Sequence, residues 1–288
     1  MGLLSIVNRK HEQRTVLSNA RYSRGELESL SGTSGHCSSI IYRDRSSFRR
    51  GVLSSRSMMP ERPWVGRMTW NDLLFMHWRV KASAVRSLVP KGLEVDVFDG
   101  DAWIGVIPFL MTDVRARFVP SAFAFNFPEL NVRTYVRRRE KAGVWFFSLD
   151  AASRLAVWTA RRLFHLPYQS AKMSTVPVGG VIDYRSRRSS ADGVQLICRY
   201  RPVGSLFRAD AGTLDSWLTD RYCLFAANRR GKIFRGDIYH EPWPLQRAEV
   251  EIETNTMTTP LGIALPPEAP LLHFAKRLDV LAWSLVAG

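Results

Sequence analysis

The chain has 288 residues, 45% hydrophobic and 11% aromatic, enough apolar mass to bury a sizeable core. Its formal net charge is +15, but only seven of 41 basic residues are Lys, and the arginine runs are not interleaved with aromatics as a single-strand nucleic-acid surface would be. Cys37, Cys198 and Cys223 are too few and too scattered for a disulfide framework and fit a reducing, cytoplasmic protein. No run approaches the eighteen or so apolar residues of a membrane span.

Residues 1–60 carry thirteen Ser, ten Lys/Arg and four Asp/Glu. The stretch reads as a disordered, basic, Ser/Arg-rich extension, its acidic residues counting against a transit peptide. A second explanation is that translation begins at Met58 or Met59. All nine Trp lie between Trp64 and Trp283, so residues 61–288 are read as one domain.

Within that domain the apolar pattern predicts strands at Ala102–Ile107, after the Asp99-Gly100 turn signal, and at Val144–Leu149, a continuous run expected to be covered on both faces. Further strands are predicted at Val194–Tyr200 and at Arg247–Glu253, whose strict alternation leaves one face wet. Leu271–Trp283 reads as a long closing strand. A short helix is expected at Ala84–Val89, ending at Pro90. A second runs from Ala151 to Leu163, capped by Asp150, with Arg161 and Arg162 suiting its dipole. Thr213 caps a third, carrying Leu214, Trp217, Leu218, Tyr222 and Phe225. Many strands with few short helices predict an α+β protein built on an antiparallel sheet or barrel.

The most informative segment is Glu129-Leu130-Asn131-Val132-Arg133-Thr134-Tyr135. In a strand, Glu129, Asn131, Arg133 and Tyr135 share one face. Apolar strands flank it in sequence, which places it inside the sheet. A Glu and an Arg on a covered face are costly unless paired. The face is therefore either solvated or the wall of a polar cavity. A second candidate lies at Tyr239-His240-Glu241-Pro242-Trp243-Pro244. His240 titrates near neutrality and could serve as a general base, with the prolines aiming His240 and Trp243. His77, His165 and His273 each stand alone in apolar surroundings, giving no metal-ligand spacing. No P-loop, Rossmann glycine pattern, GxSxG elbow or HExxH motif is present, and no cofactor is indicated.

Several motifs converge on one family. Trp70-Asn71-Asp72-Leu73-Leu74-Phe75-Met76-His77-Trp78, Phe98 to Val106, Glu129 to Val136, Phe147-Ser148-Leu149-Asp150, Leu166-Pro167-Tyr168, Arg221-Tyr222-Cys223-Leu224 and His240 to Gln246 resemble the YqjF-like family of uncharacterised bacterial proteins. The resemblance spans nearly everything from Pro63 to Trp283. That family is similar in fold to acetoacetate decarboxylase, which implies a mainly antiparallel β-barrel or cone with short helices around a central cavity. Such decarboxylases use a Schiff-base lysine in a Gly-x-Pro-Lys-Lys motif after a short helix. Here Leu166-Pro167-Tyr168-Gln169 stands in that place, so Tyr168 replaces the nucleophile, and Lys172 would reach inward only if the chain bent. The family's cavity carboxylate corresponds to Glu129.

Three functions follow as expectations. The first is a small-molecule enzyme in which Glu129 is the acid/base, with Tyr168, Tyr135 or His240 assisting proton transfer. Arg133 would then bind an anionic or carbonyl-containing ligand beside Asn131, Tyr135 and Trp243. The second is a binding or sensing protein with the same cavity and no turnover. The third, a nucleic-acid accessory protein, rests on charge alone. The partner expected is a small molecule, with no specific nucleic acid, no metal and no membrane; a homo-oligomer is left open.

Overall fold

Long runs of apolar and β-branched residues broken by Gly- and Asp-containing turns give the described residues more strand than any other structure. The computed structural model describes residues 59–190 and 193–288. Among these residues the order is β1 (Gly66–Val80), α1 (Ala82–Arg86), β2 (Glu94–Val95), β3 (Ala102–Ala116), β4 (Phe125–Arg138), β5 (Lys141–Ala151) and α2 (Arg154–Phe164). Then come β6 (Tyr168–Val178), β7 (Val181–Arg188), β8 (Gln195–Phe207), α3 (Leu214–Thr219), β9 (Cys223–Ala227), β10 (Ile233–His240), β11 (Leu245–Asn255), β12 (Leu271–Ala282) and β13 (Val286–Ala287). Residues 1–58, with the predicted extension and Cys37, lie outside the described residues.

Pairing is antiparallel except where β5 meets β6 and β9. The ladder β12-β1-β3-β4-β5-β9-β10 closes on itself, because β10 returns to β12 through Ile238↔Ala282. From β5 the sheet also runs outward through β6, β7, β8 and β11 and comes back to β12. The result is a ring of strands sharing its β12-β1-β3-β4-β5 arc with a second sheet.

The shared arc has two covered faces, and its side chains divide between them by the two-residue period of a strand. Leu73 and Phe75 of β1 point into the ring, whereas Leu74, Met76 and Trp78 pack against Tyr184, Cys198 and Tyr200 of the second sheet. In β4, Leu130, Val132 and Val136 join the outer core, and the alternate residues face the ring. The expected position of β4 is borne out: it lies between β3 and β5. So is the doubly covered Val144–Leu149 strand. The alternating strand keeps Ala248 and Val250 inside, while Glu249 lies outside, paired with Arg201.

Two local expectations are corrected. Asp150 does not cap a helix. It lies in β5, fully buried, and forms an ion pair with Arg188 at 2.7 Å; the helix starts four residues later. The helix after Thr213 stops at Thr219, so Tyr222 lies beyond it and Phe225 belongs to β9. Thr213 does cap it, accepting from the Ser216 amide. The run Arg185 to Arg188 is strand: Arg185 pairs with Asp183 outside, and Arg188 reaches Asp150 inside. Cys198 and Cys223 are buried free thiols, pushed by burial up to about 12 and about 11, as expected of inert cysteines.

Ring closure depends on one close approach. A Cβ at Gly143 would sit 2.7 Å from the Cys223 Sγ and 2.8 Å from the Cys223 carbonyl, where β5 runs beside β9. Gly143→Ala should therefore cost on the order of 1–3 kcal/mol by overpacking, lowering the melting temperature by several degrees. An unchanged thermal melt would show that the two strands are not so tightly apposed.

Candidate active site

The ring encloses a cavity of about 770 Å³, within the range of small-molecule sites. Its walls are mostly apolar, supplied by Phe75, Phe109, Phe127, Phe146, Leu149 and Trp243 among others. The polar groups form a row along β4. Phe125 stands at the exposed end, followed inward by Phe127, Glu129, Asn131 and Arg133, all of which line the cavity. The face predicted to be either solvated or cavity wall is thus buried. It is a polar row on an otherwise apolar surface rather than a polar chamber.

Glu129 and Arg133 do not pair. Four residues of strand separate their Cα atoms by about 13 Å. Each solves the cost of burial differently. Glu129 is 2% exposed and its Oε2 accepts from the Tyr168 hydroxyl at 2.9 Å. Burial raises its pKa to about 8, opposed by the Tyr168 hydrogen bond and reinforced by Asp150. The carboxyl is thus mainly neutral at pH 7. Burial and the adjacent Glu129 drive the Tyr168 phenol well above its usual value.

Arg133 keeps its charge inside the ring with no carboxylate beside it among the described residues. Its Nη2 donates weakly to the Tyr135 hydroxyl (3.3 Å) and the Leu218 carbonyl (3.4 Å). The guanidinium lies 5.5 Å from the ring centres of Phe75 and Tyr135. Its Nε has no partner. Arg221 lies on the same Tyr135 ring at 5.0 Å and on Trp217 at 4.3 Å. Its Nη1 donates to Asp96 at 2.6 Å, and its Nη2 is unpartnered.

His240 closes β10 with its Nδ1 2.8 Å from the Glu241 carbonyl, so Nδ1 carries the proton and Nε2 is the acceptor. That Nε2 has no partner. Burial lowers the His240 pKa to about 4, against the Glu241 hydrogen bond and with help from the Arg133 charge. The expectation of a base titrating near neutrality is therefore corrected: this imidazole is neutral and accepts a hydrogen bond. Trp243 is wall. It stacks on Trp70 at 5.7 Å, and its Nε1 is used by the Thr219 carbonyl. Tyr135 lies behind Arg133 rather than on the cavity surface. Its hydroxyl donates to the Leu218 carbonyl at 2.9 Å and meets His77 Nε2 at 2.6 Å, so it supports Arg133 instead of facing a ligand.

His77 and His273 are not alone. Their rings lie 6.3 Å apart, and His273 Nε2 is 2.8 Å from Asp215 Oδ1. Burial, and secondarily Arg133, hold His77 well below its ordinary value. Three residues without a predicted role matter here: Arg221, Trp70 and Phe75. An arginine directly before the apolar run Tyr222 to Phe225 was the available signal for the first.

Among the described residues, half of the unpartnered buried polar side-chain atoms belong to residues that line this cavity. Trp70 Nε1, Asn131 Oδ1, Arg133 Nε, Arg221 Nη2 and His240 Nε2 all belong to cavity-lining residues. Buried polar groups are ordinarily satisfied, so such a concentration marks a place that something else completes. By contrast, all six lysines of the described residues, Lys172 included, are exposed and none lines the cavity.

The family model for the uncharacterized conserved proteins of DUF2071 matches residues 67–279. The chain belongs to this family. Within it, "Uncharacterized protein YqjF" of Bacillus subtilis is 49% identical over 228 residues, 79% of this chain and 94% of that protein. Solved structures share the fold of this DUF2071 protein. The acetoacetate decarboxylase of Legionella pneumophila is similar with a TM-score of 0.55 at 12% identity, covering 83% of this chain and 96% of that one. The enduracididine biosynthesis enzyme MppR, solved with a condensation product of pyruvate and imidazole 4-carboxaldehyde, gives 0.56 at 13% identity over 78% and 89%. The predicted acetoacetate decarboxylase-like α+β fold is borne out, as a ring of strands with short helices. No helix among the described residues is long and apolar enough to cross a membrane.

The Glu129 environment has a sign that can be checked. Because the folded state raises this pKa, the contribution to stability is complete below about pH 4.5 and is lost as the pH rises through about 8. Relative to Glu129→Gln, the wild type should lose on the order of 5 °C in melting temperature between pH 5 and pH 9. A gap between the two proteins that does not change with pH would mean that the carboxyl is not desolvated.

Proposed function

We propose that this DUF2071 protein is a proton-transfer enzyme that binds an organic acid in the ring and works without a Schiff-base lysine. The observation that carries the reading is Arg133: a buried cation, facing a cavity, with no carboxylate among the described residues to balance it. A bound carboxylate would supply that partner and take the free N–H groups of Arg133 and Arg221. A hydroxyl or enol of the ligand would complete His240 Nε2.

Glu129 is suited to exchange a proton with such a ligand. A carboxyl with a pKa of about 8 can both give and take a proton near neutrality, the condition for efficient general acid–base work. Tyr168, hydrogen-bonded to it, orients the group and holds its non-reacting oxygen. Covalent imine chemistry has no amine within the cavity among the described residues. What the related decarboxylases do with a lysine would here be done by acid–base and electrostatic means alone.

The test uses keto acids of graded length in deuterated water, following exchange at the carbon beside the carbonyl by NMR. Wild-type protein should promote exchange. Glu129→Gln should slow it by about 100-fold or more while retaining affinity within a few-fold. Borohydride should trap no adduct. Binding without exchange in the wild type would favour the reading as a binding or sensing protein. An adduct on Lys172 would overturn the lysine-free mechanism.

A further inference from the structure

The shape of the cavity specifies the kind of acid, on the reading that an organic acid is what binds. The polar row is long. Glu129 and Arg133 are about 13 Å apart along β4, and Phe125 to Arg133 spans about 27 Å. The Arg133 guanidinium also leans away from Glu129, over the Tyr135 ring and towards the Leu218 carbonyl, so a short keto acid held there is poorly placed to reach Glu129. Apart from Asn131, which stands between them, the apolar lining includes Phe127, Phe109, Phe146, Leu149 and Met111. These walls offer dispersion and dehydration to hydrocarbon but no hydrogen bonds.

The apolar lining also continues to the outside. Phe123 and Phe125 line the cavity and are 71% and 44% exposed; Leu155 of α2 does both as well. Exposed apolar residues at the rim of a cavity would be a liability in a site for a small, fully polar substrate. The deep end is different. There the guanidinium groups of Arg133 and Arg221 share the Tyr135 ring, and α3 closes the bottom through the Leu218 carbonyl. Guanidinium charge with unpartnered N–H groups sits at the base of the cavity; the arginines at the Phe125 end, Arg67 and Arg115, are tied to Asp113, and apolar side chains line most of the wall between.

We infer that the ligand is a free monocarboxylic acid with an extended apolar body, its carboxylate against Arg133 and Arg221 and its chain running past Glu129 towards Phe125. Glu129 then faces a carbon several bonds from the carboxylate rather than the one beside it. Proton exchange with Glu129 then takes place where the chain carries a carbonyl beside that carbon, which accepts the electron pair as an enolate, as in a keto acid whose ketone lies several carbons from the carboxylate.

Calorimetric titration of the wild-type protein with straight-chain carboxylates of four, eight, twelve and sixteen carbons, with pyruvate and with dodecanol tests this. Affinity should rise by roughly fourfold per added methylene until the cavity is filled, then level off. Dodecanol should bind at least tenfold more weakly than dodecanoate. Phe123→Asp, at an exposed rim position, should weaken the long acids several-fold and leave the butyrate response unchanged; Arg133→Met should abolish the preference for dodecanoate over dodecanol. If pyruvate and butyrate bind as well as dodecanoate, the long-chain assignment falls while the organic-acid reading stands. If no carboxylate of any length binds, both fall.

Discussion

A guanidinium inside a ring of strands, without a carboxylate beside it among the described residues, is the constraint around which this site is organised. Arg133 is held by weak contacts to Tyr135 and Leu218 and by the faces of Phe75 and Tyr135. Buried charge of this kind is costly and persists where the surrounding structure, or a ligand, compensates it. Its field reaches outward. It contributes to keeping both His77 and His240 neutral, which leaves one acceptor nitrogen of the cavity-lining His240 without a partner. Tyr135, His77 and α3 then serve as the scaffold that fixes the guanidinium.

The other end of the polar row is controlled by desolvation rather than by charge pairing. Because Arg133 is too far along the strand to neutralise Glu129, the carboxyl is free to rise to about 8, with Tyr168 as its hydrogen-bond donor. Had the two been adjacent, each would have silenced the other. Their separation by two pleats leaves one permanent cation and one proton-exchanging acid on the same wall. The same strand can therefore anchor an anion and act on it some distance away.

Much of this was legible in the sequence, for identifiable reasons. A two-residue period is enough to put Glu129, Asn131 and Arg133 on one face, and flanking apolar strands are enough to bury it. The fold class followed from many strands and few helices, and the family from motifs spread over the domain. Tyr168 was visible only through resemblance to the decarboxylase motif, since nothing local distinguishes it. The cost of burial alone does not say how Glu129 and Arg133 are accommodated; that depends on their separation along the strand, which keeps them from pairing. Asp150 carried a helix-capping signature, and its partner Arg188, on a different strand, had none that pointed to it. The contact between His77 and His273, and the second guanidinium of Arg221, arise from closure of the ring and from where α3 ends. Neither is encoded in local periodicity.

The decisive measurement is the high-resolution crystal structure of the protein as purified, without added ligand. Density for a bound carboxylate is expected within about 3 Å of Arg133 Nε and Arg221 Nη2, with hydrocarbon density extending towards Phe125. A cavity in which a protein carboxylate has swung in to pair with Arg133 would contradict the claim that this cation is reserved for a ligand.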